Sequence, residues 1–146
     1  MIILGVDFGE ARTGLAVCDY YELLASPVGT VSEIDFNTCV ERVAAIAIEK
    51  KAKCIVVGYP KNMNGTIGER AERCQQFADC LREKTRLETI LWDERSTTVS
   101  AHNYLNQTNT RGKKRKAVVD TVAATIILES YLAYRRNHPE NLSQNQ

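Results

Sequence analysis

The sequence predicts a mixed α/β fold with a five-stranded sheet flanked by helices. Near the N-terminus, apolar runs are joined by short turns, and short connections favour antiparallel neighbours. Further along, apolar runs alternate with segments of helical periodicity, and helical crossovers imply parallel strands with helices on both faces of the sheet. The chain has 146 residues, 44% hydrophobic and 25% charged, which is enough for one domain with a substantial core.

The first half of the chain is predicted to form the antiparallel part of the sheet. Three consecutive strands are expected over residues 2–7, 14–19 and about 25–31. Apolar residues then recur from Val40 at i, i+3, i+4, i+7 and i+8, which predicts an amphipathic helix over roughly 36–51. The sequence therefore predicts a three-stranded meander followed by a helix.

The second half reads as helix and strand units. Residues 54–58, CIVVG, form a buried strand, and residues 88–93, ETILWD, form a fifth. Between them, Thr66 and Glu69 have capping-box spacing and open a helix that ends near residue 84. The resulting strand order along the chain is complete before the last two helices begin.

Two helices and a basic segment close the domain. Residues 97–106 read as a short helix, residues 111–116 as a basic loop and residues 117–135 as a long final helix. The order βββαβαβαα matches the ribonuclease H-like architecture. Residues 1–137 are expected to form this single domain, and residues 138–146 a polar C-terminal tail.

Composition excludes several classes of protein. No apolar run approaches the length of about 20 residues that spans a membrane, and no basic residue precedes the first apolar stretch as in a signal peptide. We therefore expect a cytoplasmic protein with no membrane partner. The five cysteines have no C-x-x-C spacing, so they are interpreted as reduced, mostly buried thiols. Only two histidines are present, which argues against chemistry that needs several.

Carboxylates stand at the ends of apolar elements in three places. Asp7 ends the first strand, Asp93 and Glu94 end the fifth, and Asp120 interrupts an apolar stretch of the last helix. Because functional sites gather at the carboxyl ends of strands, these acids are expected to meet at one edge of the sheet. Asp93 and Glu94 fall on opposite faces of their strand, so which of them joins the site stays open.

Each acid also has a purely structural explanation. Asp7 could accept hydrogen bonds from the turn that follows, Asp93 could cap the next helix, and Asp120 could favour a helix N-terminus. Three carboxylates at one edge would repel each other strongly unless a cation separates them. Oxygen ligands favour Mg²⁺ or Mn²⁺, and two such ions roughly 3.5–4 Å apart are typical of phosphodiester hydrolysis.

Basic and hydroxyl side chains could hold the phosphates of a nucleic acid. Five positive charges fall within residues 111–116, and such a cluster beside an acidic site suits a nucleic-acid backbone. The candidate substrate-binding residues are Arg12, Lys61, Asn62, Arg70, Arg95, Ser96, Thr97, Thr98, Arg111, Lys113, Lys114, Arg115 and Lys116.

Four motifs in order resemble one known family. They are D-x-G-x-x-R-x-G from Asp7, VVGYPKNMNG from Val56, DERSTT from Asp93, and DTVAA from Asp120 with ILESYL from Ile127. Together they resemble the YqgF (RuvX) family over about residues 2–134. The resemblance implies a ribonuclease H-like fold related to the RuvC-type resolvases. It implies a metal-dependent endonuclease that matures the 5′ end of pre-16S rRNA, with a Holliday junction resolvase as the alternative.

The resemblance also implies roles for individual residues. It puts Asp7 and Asp120 on the expected catalytic acids and the middle acid within Asp93-Glu94. The oxygen ligands of these residues make a pair of Mg²⁺ or Mn²⁺ ions the expected cofactor. The family more often carries Asp where this chain has Asn64. The expected substrate is an rRNA precursor or branched DNA. Trimming of rRNA suits a monomer, whereas symmetric junction cleavage suits a homodimer.

Two other functions compete with the nuclease. The D-x-G hairpin also resembles the first phosphate loop of actin and sugar kinases, but those proteins need two such domains around a nucleotide. A non-catalytic nucleic-acid-binding module would keep affinity without cleavage. Metal-dependent cleavage that is lost when Asp7 becomes Asn would separate the nuclease from both alternatives.

Overall fold

The computed structural model of the chain describes residues 1–59, 68–93 and 112–138. For residues 112–120 it describes the backbone but not the side chains. The five strands are β1 (Ile3–Asp7), β2 (Arg12–Cys18), β3 (Ala25–Ser32), β4 (Cys54–Tyr59) and β5 (Glu88–Asp93). The described helices are α1 (Phe36–Glu49), α2 (Glu69–Thr85) and α3 (Gly112–Asn137). The mixed five-stranded sheet flanked by helices is confirmed.

The strands form one sheet in the order β3-β2-β1-β4-β5. β1 is antiparallel to β2 and parallel to β4, and β4 is parallel to β5. The ends of β1, β4 and β5 therefore share one side of the sheet, which we call the carboxyl edge and define by Asp7, Tyr59 and Asp93. The opposite side, where β1 begins, is the amino edge.

Strand alternation gives the sheet two apolar faces. Leu4, Val6 and Val57 pack in one cluster with buried residues of α1 and α2. Ile3 and Val56 pack in a second cluster with buried residues of α3. Because successive side chains point to opposite faces, the face of every residue near the carboxyl edge follows from this alternation.

Two predicted boundaries of helices were wrong. α3 begins at Gly112, so Lys113, Lys114, Arg115 and Lys116 lie in its first turns rather than in a loop. Lysine and arginine are good helix formers and no proline interrupts them, so the helix extends through the basic segment. α2 begins at Glu69 with Gly68 as its N-cap and without a side-chain cap hydrogen bond. The Thr66 capping box therefore does not open this helix.

The remaining predictions about the described elements are confirmed with small shifts. α1 begins after Asp35, whose carboxylate accepts a hydrogen bond from the Thr38 amide at 2.9 Å. The predicted helix over 97–106 lies outside the described residues. None of the helices in the described part of the chain has the length and apolarity that crossing a bilayer would require.

The cysteines are free thiols, as predicted. Cys18, Cys39, Cys54 and Cys74 are buried, and Cys80 is partly exposed. Burial raises the pKa of the Cys54 thiol to about 12, so this sulfur stays protonated and chemically inert at neutral pH. The cysteines therefore contribute to packing.

Candidate active site at the carboxyl edge

Asp7 ends β1 at the carboxyl edge with a largely covered carboxylate. Its side chain is 13% exposed, and Oδ1 lies 3.8 Å from Nη2 of Arg70 in the first turn of α2. The Arg70 side chain is 63% exposed, so its guanidinium faces solvent as well as Asp7. A partly buried acid beside a solvent-exposed arginine is thus the centre of the candidate site.

Helix α3 packs on the face of the sheet that carries Ile3, Gly5 and Asp7, and it runs antiparallel to β1. Near its end, Arg135 Nε donates to Glu22 at 2.6 Å, and the Met1 amine beside the start of β1 donates to the same carboxylate at 2.9 Å. Further back on α3, Ala124 and Leu128 lie against Gly5. The beginning of α3 is therefore directed toward the carboxyl edge.

This register brings Asp120 to the level of Asp7. From the contact between Gly5 and Ala124, two residues along β1 advance about 6.6 Å. Four residues back along α3 cover about 6 Å in the same direction. Asp7 shares a strand face with Gly5, and Asp120 precedes Ala124 by about one helical turn. From this register, the backbone position of Asp120 lies opposite the end of β1.

A hydrogen bond between hydroxyls supports this register independently. Thr121 Oγ1, next to Asp120, lies 3.2 Å from Thr30 Oγ1 on β3. Thr30 pairs with Gly14 on β2, and Gly14 pairs with Asp7. Thr121 therefore contacts the row of the sheet that contains Asp7.

Asp93 belongs to the other face of the sheet. Ile90 and Trp92 pack against the α3 cluster, whereas Leu91 packs against the α1 and α2 cluster. The Trp92 indole donates to Ser130 Oγ on α3 at 3.0 Å, which fixes this alternation. By the same alternation Asp93 shares the face of Leu91, opposite to Asp7.

Other predicted site residues differ in how far the structure describes them. Arg12 begins β2 at the carboxyl edge and is half-buried. For the basic residues in the first turns of α3, the structure describes the backbone only. Residues outside the described part of the chain are Lys61, Asn62, Glu94, Arg95, Ser96, Thr97, Thr98 and Arg111. Within the described side chains, no three potential metal ligands form a cluster; Asp120 and Glu94 lie outside that set.

A cavity that the sequence did not reveal lies beside the residues that follow Asp7 in the chain. Its volume is about 230 Å³, and it is lined by Phe8, Gly9, Glu10, Glu69, Arg70 and Arg73. The Arg73 guanidinium lies 4.6 Å from the centre of the Phe36 ring, a cation–π contact that holds the charge in place. Arg70 and Arg73 are three residues apart and share a helix face, so helical spacing from Arg70 would have indicated Arg73.

The order and pairing of the strands define the class of protein as one of ribonuclease H-like fold. Thermus thermophilus RuvC in complex with a Holliday junction substrate superposes with a TM-score of 0.62 at 11% identity, covering 94% of this chain and 96% of RuvC. The fowlpox virus Holliday junction resolvase superposes with a TM-score of 0.55 at 14% identity, covering 92% and 99%. These similarities confirm the predicted fold.

Sequence comparison identifies the family. The model of the RuvX family, described as a Holliday junction resolvase, matches residues 1–134, and the chain belongs to this family. A protein of Agathobacter rectalis named "Putative pre-16S rRNA nuclease" is 44% identical over 140 residues, 94% of this chain and 98% of the relative. A Bacillus cytotoxicus protein of the same name is 43% identical over 90% of this chain and 98% of its own length.

Proposed function

We propose that this protein is a metal-dependent endonuclease that processes the 5′ end of pre-16S rRNA. The observation that carries the proposal is the register that brings Asp7 and Asp120 to one level of the carboxyl edge. The proposed substrate follows from the names of the relatives that match nearly the whole chain. The proposed cellular compartment is the cytoplasm, where rRNA precursors are made in bacteria.

The residues at this edge fit divalent metal ions. The donor set consists of carboxylates, which are hard oxygen ligands suited to Mg²⁺ or Mn²⁺. Asp7 and Asp120 would hold these ions together with one acid of the Asp93-Glu94 pair. Bound divalent ions supply activation of water and stabilisation of the leaving oxygen in phosphodiester hydrolysis. We propose two ions, because negative charge develops on both the attacking water oxygen and the leaving oxygen.

The alternation of β5 favours Glu94 as the third acid. Asp93 lies on the α1 and α2 face, whereas Asp7 lies on the α3 face. A strand position one residue beyond Asp93 would return to the α3 face. We therefore assign Glu94 to the metals, and Asp93 to a supporting role on the opposite face.

Arginines and lysines around the edge would hold the substrate. Arg70, which lies 3.8 Å from Asp7, would bind a phosphate of the strand being cut, and Arg73 adds positive charge in the adjoining cavity, whose lining also holds two glutamates. The basic first turns of α3 add positive charge near the level of Asp120. Arg12 would steady the scissile phosphate or the carboxylates. Arg95, Ser96, Thr97, Thr98, Lys61, Asn62 and Arg111 remain proposed phosphate contacts.

Branched DNA is the second candidate substrate, since the family model carries the description of a Holliday junction resolvase. Resolution of a junction requires two symmetric cuts, and a homodimer would supply them. Trimming of single-stranded rRNA requires one active site and suits a monomer. The two substrates therefore predict different oligomeric states as well as different products.

The test is cleavage of two matched substrates in Mn²⁺ by the wild type, by Asp7→Asn and by Asp79→Asn. The substrates are a single-stranded RNA with a precursor 5′ extension and a four-way DNA junction. Asp79 is an exposed carboxylate paired with Arg82 on α2, so its replacement controls for the loss of one negative charge. We expect RNA cleavage that Asp7→Asn abolishes and Asp79→Asn preserves.

The other outcomes are equally informative. Cutting of the junction alone would replace rRNA processing by recombination. Binding of either substrate without any cleavage would favour the non-catalytic module.

A further inference from the structure

Gly5, in the middle of β1, is the place where α3 comes closest to the sheet. A Cβ atom at this position would lie 2.8 Å from Cβ of Leu128 and 3.0 Å from the carbonyl oxygen of Ala124. Both atoms are fixed to the helix backbone and cannot rotate away. Any side chain at position 5 would therefore force α3 and β1 apart.

Packing, not backbone conformation, requires glycine here. Among the described glycines, only Gly29 has a positive φ, at 148°. The β1 backbone at Gly5 would therefore accept an L-amino acid if α3 were further away. The missing side chain serves one purpose, which is the close approach of the helix.

The close contact between Gly5 and α3 is adjacent to the candidate site. Asp7 follows Gly5 by two residues on the same face of β1, and Asp120 precedes Ala124 by about one turn of α3. A displacement of α3 at Gly5 would therefore be transmitted to the distance between the two acids. The hydroxyl contact between Thr30 and Thr121 fixes α3 along the sheet, but the separation from β1 is set at Gly5.

We propose that Gly5 is a positioning residue that sets the spacing of the metal-binding acids and so selects the size of the bound ion. This inference rests on the proposed function of the carboxyl edge. Mg²⁺ demands short, near-ideal oxygen coordination, whereas Ca²⁺ accepts longer and more variable distances. An increased spacing of Asp7 and Asp120 should therefore weaken Mg²⁺ binding more than Ca²⁺ binding.

The experiment measures metal binding without nucleic acid. Mn²⁺ bound to the purified protein is displaced by Mg²⁺ or by Ca²⁺ and followed by electron paramagnetic resonance, for wild type, Gly5→Ala and Asp7→Asn. We expect Gly5→Ala to raise the dissociation constant of Mg²⁺ on the order of tenfold. The dissociation constant of Ca²⁺ should change much less, so that the ratio of the two constants shifts.

Two further variants separate positioning from loss of stability. Leu132→Ala removes a buried side chain from the same cluster, near the other end of α3, and should lower the melting temperature while keeping the wild-type ratio. Ala124→Val adds bulk on α3 instead of on β1 and should also push the helix away from the strand. It should shift the ratio of the Mg²⁺ and Ca²⁺ dissociation constants as Gly5→Ala does, which keeps the test decisive if Gly5→Ala does not fold. The fluorescence of Trp92, between β5 and α3, reports the folded state.

Each contrary result has its own meaning. A folded Gly5→Ala protein with the wild-type ratio of dissociation constants would overturn the role of Gly5 and leave the metal site intact. An equal shift in Leu132→Ala would also overturn it, because general loosening would then explain the effect. Wild-type protein that binds Mn²⁺ no better than Asp7→Asn would overturn the proposed metal site together with this inference.

Discussion

The two edges of the sheet use arginine in opposite ways. At the amino edge, Arg135 has an 8% exposed side chain and donates to Glu22 at 2.6 Å. At the carboxyl edge, Arg70 is 63% exposed and lies 3.8 Å from Asp7. The first arginine is committed to a short, covered ion pair that joins α3 to the β2–β3 turn. The second keeps most of its side chain exposed to solvent and to a ligand.

This difference separates structural charge from functional charge. A buried arginine that loses its carboxylate leaves an uncompensated charge in the protein interior. An exposed arginine beside a carboxylate contributes little to folding, so its position needs another reason. The comparison therefore predicts that variants at the amino edge change stability, and that variants at the carboxyl edge change metal binding, substrate binding or cleavage.

The largest effect is expected for Glu94, the residue proposed as the third metal-binding acid. Glu94→Gln should reduce the cleavage rate on the order of 10³-fold, because removing a metal ligand takes away several kcal/mol of transition-state stabilisation. Asp93→Asn should reduce it by less than about tenfold, since Asp93 lies on the opposite face of β5. Single-turnover cleavage in Mn²⁺ measures both, and a larger reduction in Asp93→Asn would reverse the assignment.

A smaller effect is expected for the basic first turns of α3. Replacing Lys113, Lys114, Arg115 and Lys116 with Gln keeps good helix formers but removes four charges. The affinity for single-stranded RNA should fall on the order of 10²-fold, and the slope of log affinity against log salt should become shallower by about 0.7 for each phosphate that the protein no longer neutralises. Binding titrations at several salt concentrations measure both quantities. An unchanged slope would remove these residues from the interface.

Changes at the amino edge should alter the free energy of unfolding, through the ion pair between Glu22 and Arg135. Partial burial would raise the pKa of Glu22, but hydrogen bonds from Arg135 and the Met1 amine outweigh it and lower the pKa below its ordinary value of 4.5. Because the folded-state pKa is lowered, the ion pair stabilises the protein fully above pH 4.5. This stabilisation is lost as the pH falls from there through the folded-state pKa.

Glu22→Gln tests this account of the amino edge. It should lower the free energy of unfolding at pH 7 by about 2 kcal/mol, since Arg135 remains buried without its charge partner. The difference from the wild type should shrink below pH 4.5, which urea unfolding followed by Trp92 fluorescence would show. Cleavage per folded molecule should stay unchanged. A constant difference at all pH values would contradict the ion pair as its cause.

The sequence predicted the sheet well because its strands are short, strongly apolar and bounded by clear turns. The parallel pairing of β1, β4 and β5 followed from helical crossovers, and this pairing placed Asp7 and Asp93 at one edge. The start of α3 could not be predicted in the same way. A run such as Lys113–Lys116 has no apolar periodicity, so only helix propensity distinguishes a basic helix from a basic loop.

Contacts between distant segments were also beyond sequence reasoning. The role of Gly5 depends on its distance from Ala124 and Leu128, and nothing in the local sequence indicates that α3 crosses at that point. The stacking of Arg73 on Phe36 likewise joins two helices. In contrast, the proposed choice of Glu94 over Asp93 rests only on the faces of Leu91 and Trp92, which strand alternation gives once the packing of either residue is known.

The smallest expected effect belongs to Arg70 and tests the comparison of the two arginines directly. Arg70→Gln removes an exposed charge beside Asp7 and should raise KM for RNA by about fivefold with little change in kcat, as expected when a single phosphate is deprived of its arginine. Arg82→Gln is the matched control on the same helix, because Arg82 donates to Asp79 at 2.8 Å and to the Thr89 carbonyl at 2.7 Å. It should lower the melting temperature and leave KM unchanged. If Arg70→Gln instead lowered the melting temperature and left KM unchanged, Arg70 would be a structural arginine like Arg135, and the distinction between the two edges would fail.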